Sequence, residues 1–275
     1  MKKVIDVNYL QKPELEDYLA KSRDNYVVLT DFACMEIYKS NALENLACKI
    51  EIISRYSKQV IMLKRVQDIV SITLGSSNLP ESLIDNMQTT GFSQFCDLTK
   101  RDCQGDKLLS REVLLKEFLA SQYLSNLTKY HQYKIAGIKD IAESYDPAQL
   151  KVVRSGKDLT PEIWEKITDG ILSLTEDLFI GHPDVKTLPE ISSLRNSYIF
   201  RYAICVYFLA LRWIKMGGIE QVSPEKLRND SVDMNYVAYA TYFDGLLSMD
   251  KKLNDIFIDT LDYLNRLDRP YPYSL

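Results

Sequence analysis

A chain of 275 residues with 46% hydrophobic and 26% charged side chains, and only 10 glycines and 9 prolines, can bury a sizeable core and is not a disordered polymer. Its formal net charge of -4 excludes a global basic footprint, so a nucleic-acid partner has to be held by a local groove or through a cation. Five scattered cysteines with no C-x-x-C spacing imply reduced thiols and a cytoplasmic setting, and His131 and His182 are too few for a zinc centre built on imidazoles.

Met1-Lys2-Lys3 leads straight into a short strand and lacks the apolar stretch of a signal peptide. Residues 4–7 form a β-branched run of the kind found in buried parallel strands. A helix is predicted over 13–22, with Pro13 in its first turn and Glu14, Glu16 and Asp17 suiting its positive end. Residues 26–29 read as a second strand. Thr30 or Asp31 then caps a helix carrying Met35, Glu36, Ile37 and Tyr38. Leu43, Leu46, Ala47, Ile50 and Ile53 have helical spacing, which predicts one helix over 42–56, and residues 60–63 read as a third strand. The β-α-β-α-β alternation favours a parallel sheet.

After Gly75 the pattern turns helical, with helices expected near 80–87, 110–127, 135–145, 161–179 and 189–216. Asp146-Pro147, Gly156, Gly181-His182-Pro183 and Gly217-Gly218 act as breakers. The apolar stretch 197–214 contains Arg201 and Arg212, charges that are expensive inside a bilayer, so it reads as a buried helix and no membrane partner is expected. Asp230 and Asp233 open a further helix-like segment. Gly245 leads into a short apolar strand that ends at Ser248-Met249-Asp250, and a last helix is expected over 253–267. The implied organisation is an α/β core in two parts, 1–74 and 224–275, separated by an all-helical insertion or cap at 75–223. That insertion offers a surface for homo-oligomer formation.

Four acids stand at strand ends or helix starts: Asp6, Glu36, Asp233 and Asp250, with Asp230 as a fifth. Mg²⁺ and Mn²⁺ take oxygen ligands, often one or two carboxylates completed by water and phosphate. Paired ions can activate water and steady the leaving oxygen of a phosphodiester. Gathered carboxylates repel, so a cluster of this kind has a reason to exist only if a cation joins it.

Val4-Ile5-Asp6-Val7-Asn8 resembles the opening strand of PIN-domain nucleases, an apolar strand ending in Asp-x-Asn. The segment from Val28 to Tyr38 resembles that family's second strand and following helix, with Glu36 as its glutamate. Asp233 and Ser248-Met249-Asp250 are similar to its third acid and its closing Ser/Thr-x-Asp. The resemblance covers about a third of the chain and has no counterpart for the helical block. It implies a three-layer fold around a central parallel sheet. It also implies divalent-metal-dependent hydrolysis of nucleic acid, RNA before DNA, through Asp6, Glu36, Asp233 and Asp250. Asp230 would add a further metal ligand, and Asn8, Ser248, Lys251 and Lys252 would contact substrate.

Each residue also has a purely local role open to it. Asp6 can cap a turn, Glu36 can be a surface residue, and Asp230 and Asp233 suit a helix N-cap and first turn. Asp250 and Ser248 can be turn residues, and the two lysines a solvated pair. A phosphatase of the haloacid-dehalogenase type needs a second aspartate where Asn8 stands, and neither a P-loop nor a dinucleotide-binding glycine motif is present. The alternatives to a nuclease are a non-catalytic PIN-like scaffold that binds RNA or protein, and a phosphatase-like hydrolase using the same metal site on a small phosphate ester.

Overall fold

Four short strands pair in parallel as one sheet in the order β3-β2-β1-β4: β1 (Lys2–Ile5), β2 (Tyr26–Leu29), β3 (Val60–Met62) and β4 (Leu246–Leu247). The computed structural model describes residues 1–39, 41–75, 79–101, 109–129, 131–155, 159–182, 189, 191–217 and 222–267. In register, Val4 faces Val28 on one side and Leu246 on the other, and Leu29 faces Met62. Val4, Ile5, Val27, Val28, Leu29 and Val60 are buried, as expected where helices cover a parallel sheet and leave no solvated face. The class is α/β, mostly helical around a small sheet.

The chain divides into two compact units. The first is Met1–Leu127 with Tyr242–Lys251, and the second is Thr128–Thr241 with Lys252–Leu275. In the first unit the helices are α1 (Pro13–Lys21), α2 (Asp31–Tyr38), α3 (Ala42–Lys49), α4 (Glu51–Arg55), α5 (Val66–Gly75), α6 (Asn86–Arg101) and α7 (Ser110–Thr128). Helix α6 packs on β3 and α3, within the first unit. The expected helix 42–56 is two, α3 and α4, which break at Ile50. The expected helix 80–87 is a short turn at Glu81–Leu83 followed by α6.

Charges at helix ends tie this unit together. The Thr30 hydroxyl accepts from the Ala33 N–H at 3.0 Å and starts α2. The Lys49 ammonium donates to the Ile37 and Lys39 carbonyls at 2.8 and 2.9 Å, a cation at the negative end of α2. The Glu117 carboxylate accepts from the N–H groups of Asn41 and Ala42, an anion at the start of α3.

The second unit contains α8 (His131–Glu143), α9 (Pro147–Ser155), α10 (Pro161–Ile180), α11 (Ile191–Leu194), α12 (Tyr198–Lys215), α13 (Pro224–Ala240) and nearly all of α14 (Lys251–Leu267). Helix α12 packs on α8, α9, α10 and α13, and thirteen of its eighteen residues are buried, so it is the core of this unit. Both of its arginines have partners within the unit. Arg201 donates to the Thr241 carbonyl at 2.7 Å, and Arg212 pairs with Asp255 at 3.0 Å. Among the described residues no helix is long and apolar enough to cross a membrane.

Two further expectations are corrected here. The helix expected over 189–216 is interrupted at Ser197, whose hydroxyl accepts from the Phe200 N–H and restarts the chain as α12. Asp230 and Asp233 do not open a helix: α13 starts earlier, at Pro224 behind an Ser223 N-cap, so both acids lie in its interior. Residues 224–241 therefore pack with the helical unit, and the return to the sheet begins only at Tyr242.

Candidate functional site

The order β3-β2-β1-β4 places a topological switch between β1 and β4. From β1 the chain moves one way through β2 to β3, and it later returns to the other side of β1. In open parallel sheets, ligand sites form at the carboxyl ends of the strands beside such a switch. Asp6 follows β1 at that edge, and Ser248 to Asp250 follow β4. The Asp6 N–H donates to the Leu247 carbonyl at 2.9 Å, so the last rung of the ladder brings the two segments together.

The backbone reaches this edge through Gly245. Its φ of +141° is disfavoured for any residue with a Cβ. It aims the chain so that the Gly245 carbonyl accepts from the Val4 N–H at 2.9 Å.

Beyond the last rung, side chains continue the link. The Ser248 hydroxyl donates to Asp6 Oδ2 at 2.6 Å and accepts from the Asp250 N–H at 3.0 Å. Asn8 Oδ1 accepts from the Met249 N–H at 3.1 Å, and Asp6 Oδ1 accepts from the Asn8 N–H at 3.4 Å. Asp6 thus also caps the short turn Val7–Tyr9, as its local reading allowed. Asn8 and Ser248 position the two strand-end loops.

Asp6 is 6% exposed. Burial raises its carboxyl above the ordinary aspartate value. The hydrogen bonds from Ser248 and Asn8 oppose that rise, and the nearby Asp250 charge adds to it. The strand-end segments that carry Asp6 and Asp250 lie side by side, joined through the Ser248 hydroxyl. Helix α2, which carries Glu36, packs against the Val7–Tyr9 turn. Glu36 is half-buried, and its charge is felt by Lys49. Lys251 is exposed next to Asp250.

Asp230 and Asp233 lie in the other unit and form a different constellation. The Lys252 ammonium donates to Asp230 Oδ1 and, at 2.9 Å, to Asp233 Oδ2. Asp230 is 3% exposed, and its Oδ2 has no hydrogen-bond partner among the described residues. Burial works against the Lys252 charge, but the two aspartates outweigh it and hold the ammonium above its ordinary value. Lys252 was expected to meet substrate. It serves these two acids instead, in a place where a metal had been expected. Among the described residues, no three His, Cys, Asp or Glu side chains gather in a way that could hold a metal ion.

One carboxylate at the sheet edge escaped the sequence reading. Asp31, considered only as a cap, follows β2. Its Oδ1 accepts from the Phe32 N–H at 3.0 Å and its Oδ2 from the Val66 N–H at 2.9 Å, which fastens the start of α5. Its place directly after a buried strand was the available signal. Compared with protein-family models, curated proteins and solved structures, the chain matches none.

Proposed function

We propose that the chain is a divalent-metal-dependent nuclease of PIN-like design, acting on RNA before DNA, with its reacting centre at the edge where β1 and β4 end. One observation carries the reading. Asp6 is a buried carboxylate at the topological switch, bonded by Ser248 and within the electrostatic reach of Asp250. The donor set fits a hard cation in kind, since Asp6 and Asp250 supply carboxylate oxygens, and Mg²⁺ or Mn²⁺ needs only one or two of these from protein. Such an ion, when bound, supplies Lewis acidity and an activated water for attack on phosphorus.

The chain's own residues have separable tasks. Asp6 and Asp250 contribute negative charge at one edge. Ser248 and Asn8 hold the two loops in register, and Lys251 stands exposed beside them, able to meet a phosphate. Glu36 joins from α2 in this reading. Asp230 and Asp233, assigned to the metal by the resemblance, are held by Lys252 within the second unit.

The test is cleavage of a fluorescent RNA oligonucleotide with Mn²⁺. Asp6→Asn and Asp250→Asn are each expected to lower the rate by roughly a thousandfold, about 4 kcal/mol of barrier. Cleavage at the wild-type rate in either variant overturns the assignment. The Lys252–Asp230–Asp233 cluster supports the second reading, a scaffold without turnover. That reading expects neither cleavage nor any rise in melting temperature with Mn²⁺.

A further inference from the structure

The helical unit contains a cavity of about 710 Å³ bounded by α8, α10, α12 and α13. This lies within the range of roughly 300–1,000 Å³ typical of sites for small organic molecules. Ile141, Leu174, Val206, Leu209 and Leu227 give it apolar surface, and Tyr202 and Tyr207 add aromatic surface.

The Tyr207 wall is built in advance. A Cβ at Gly170 would lie 2.5 Å from the Tyr207 ring, so only glycine lets that ring rest on the backbone of α10. The Tyr207 hydroxyl shares a 2.9 Å hydrogen bond with the Tyr145 hydroxyl, which fixes the far end of the ring.

The charged groups of the lining are unequal in number. Asp140, Asp169 and Asp177 contribute three carboxylates, all on exposed residues and spread along the rim, the last two about 12 Å apart on α10. Among the described residues Lys166 is the one cationic side chain in the lining, and its ammonium already donates to the Ser144 carbonyl at 2.9 Å and to Gln149 Oε1 at 2.8 Å. A phosphate or carboxylate ligand would meet three like charges here, which also sets the cavity apart from any nucleic-acid groove. A neutral ligand would leave the carboxylates unused. An apolar body carrying a protonated nitrogen uses both features.

We infer that this cavity is a binding site for an amphiphilic amine, its apolar part among the aliphatic side chains and its ammonium at the Asp140–Asp169–Asp177 mouth. The inference rests on the second unit alone, so it stands or falls separately from the nuclease reading.

The experiment is isothermal titration of the full chain with n-decylamine, n-decanol, decanoate and spermidine at fixed ionic strength. Decylamine is expected to bind one per chain, decanol at least about tenfold more weakly, and decanoate and spermidine not at all. Asp169→Asn with Asp177→Asn should weaken decylamine about tenfold and leave decanol unchanged. Val206→Trp, which fills the cavity, should abolish binding of both. The inference is overturned if no probe binds, or if decanol, decanoate or spermidine matches decylamine. It is equally overturned if the double asparagine variant binds decylamine as the wild type does. That variant keeps the shape of the cavity, so the test survives even if the tryptophan variant fails to fold.

Discussion

The two units handle a pair of aspartates in opposite ways. In the helical unit, Asp230 and Asp233 share one lysine ammonium from α14, which offsets one of their two charges from within. At the sheet edge, Asp6 receives a serine hydroxyl and a backbone N–H, and the Asp250 charge opposes its ionisation. Neutral donors steady a carboxylate but leave its charge in place. The first pair shares a cation supplied by the fold, whereas the donors described for Asp6 are neutral. For that reason the sheet edge, not the helical cluster, is the better candidate for chemistry, although both were marked by the same residue type.

Removing the internal cation tests the first pair hardest. Lys252→Met strands Asp230 in a buried position and is expected to cost about 3–5 kcal/mol in urea unfolding. Adding Asp230→Asn and Asp233→Asn should recover most of that loss, as a coupled set requires. A cost below about 1 kcal/mol would show that the cluster behaves as a surface pair and would erase the contrast.

At the sheet edge, Gly245→Ala forces a Cβ into a positive-φ position. A loss of about 1–3 kcal/mol is expected, together with a weaker response of stability to Mn²⁺ because the β4 loop is re-aimed. An unchanged melting temperature would mean that the turn relaxes freely.

The smallest effect concerns Asp6 itself. Its folded-state value is raised, so the folded protein binds the proton more tightly than the unfolded chain does, and ionising Asp6 at neutral pH opposes folding. Asp6→Asn should therefore stabilise the metal-free protein at pH 7 by up to about 1 kcal/mol, or roughly 2–4 °C. The advantage should shrink as the pH falls through the raised value and vanish below about 3.8, the ordinary aspartate value, where the wild-type group is neutral in both states. A variant less stable than wild type at pH 7 would mean that the Ser248 bond outweighs burial.

What could be read from residues alone follows from range. Strands β1, β2 and β3 were visible because Val, Ile and Leu run together between turn residues, and β4 because Gly245 precedes Leu246-Leu247. The meeting of Asp6 with Ser248 and Asp250 was also foreseeable, because a parallel strand needs its partner and places the loops at one edge. Helix α6 was missed because Thr89, Thr90 and Gly91 dilute its helical signal. Helix α9 was missed because Asp146-Pro147 was read as a stop. There the Asp146 carboxylate accepts from the Ala148 and Gln149 N–H groups and caps a helix whose first residue is Pro147. The partnership of Lys252 with Asp230 and Asp233 had no local signature at all. Neither had the packing of Tyr207 on Gly170, which depends on how two helices cross. The acids on α13 look like a helix start because aspartate suits a cap or first turn, but Ser223-Pro224 carries the actual cap and first position.

The two-residue strand β4 has a consequence for biosynthesis. Asp6 finds its hydroxyl donor 242 residues further along, so a nascent chain exposes that acid and an unfinished sheet until translation has passed Asp250. Loop closure over such a separation is entropically costly and slow compared with local helix formation. The edge proposed for chemistry is thus among the last parts of the molecule to be assembled, and a chain cut short before Tyr242 would leave the ribosome with an incomplete sheet and no finished site.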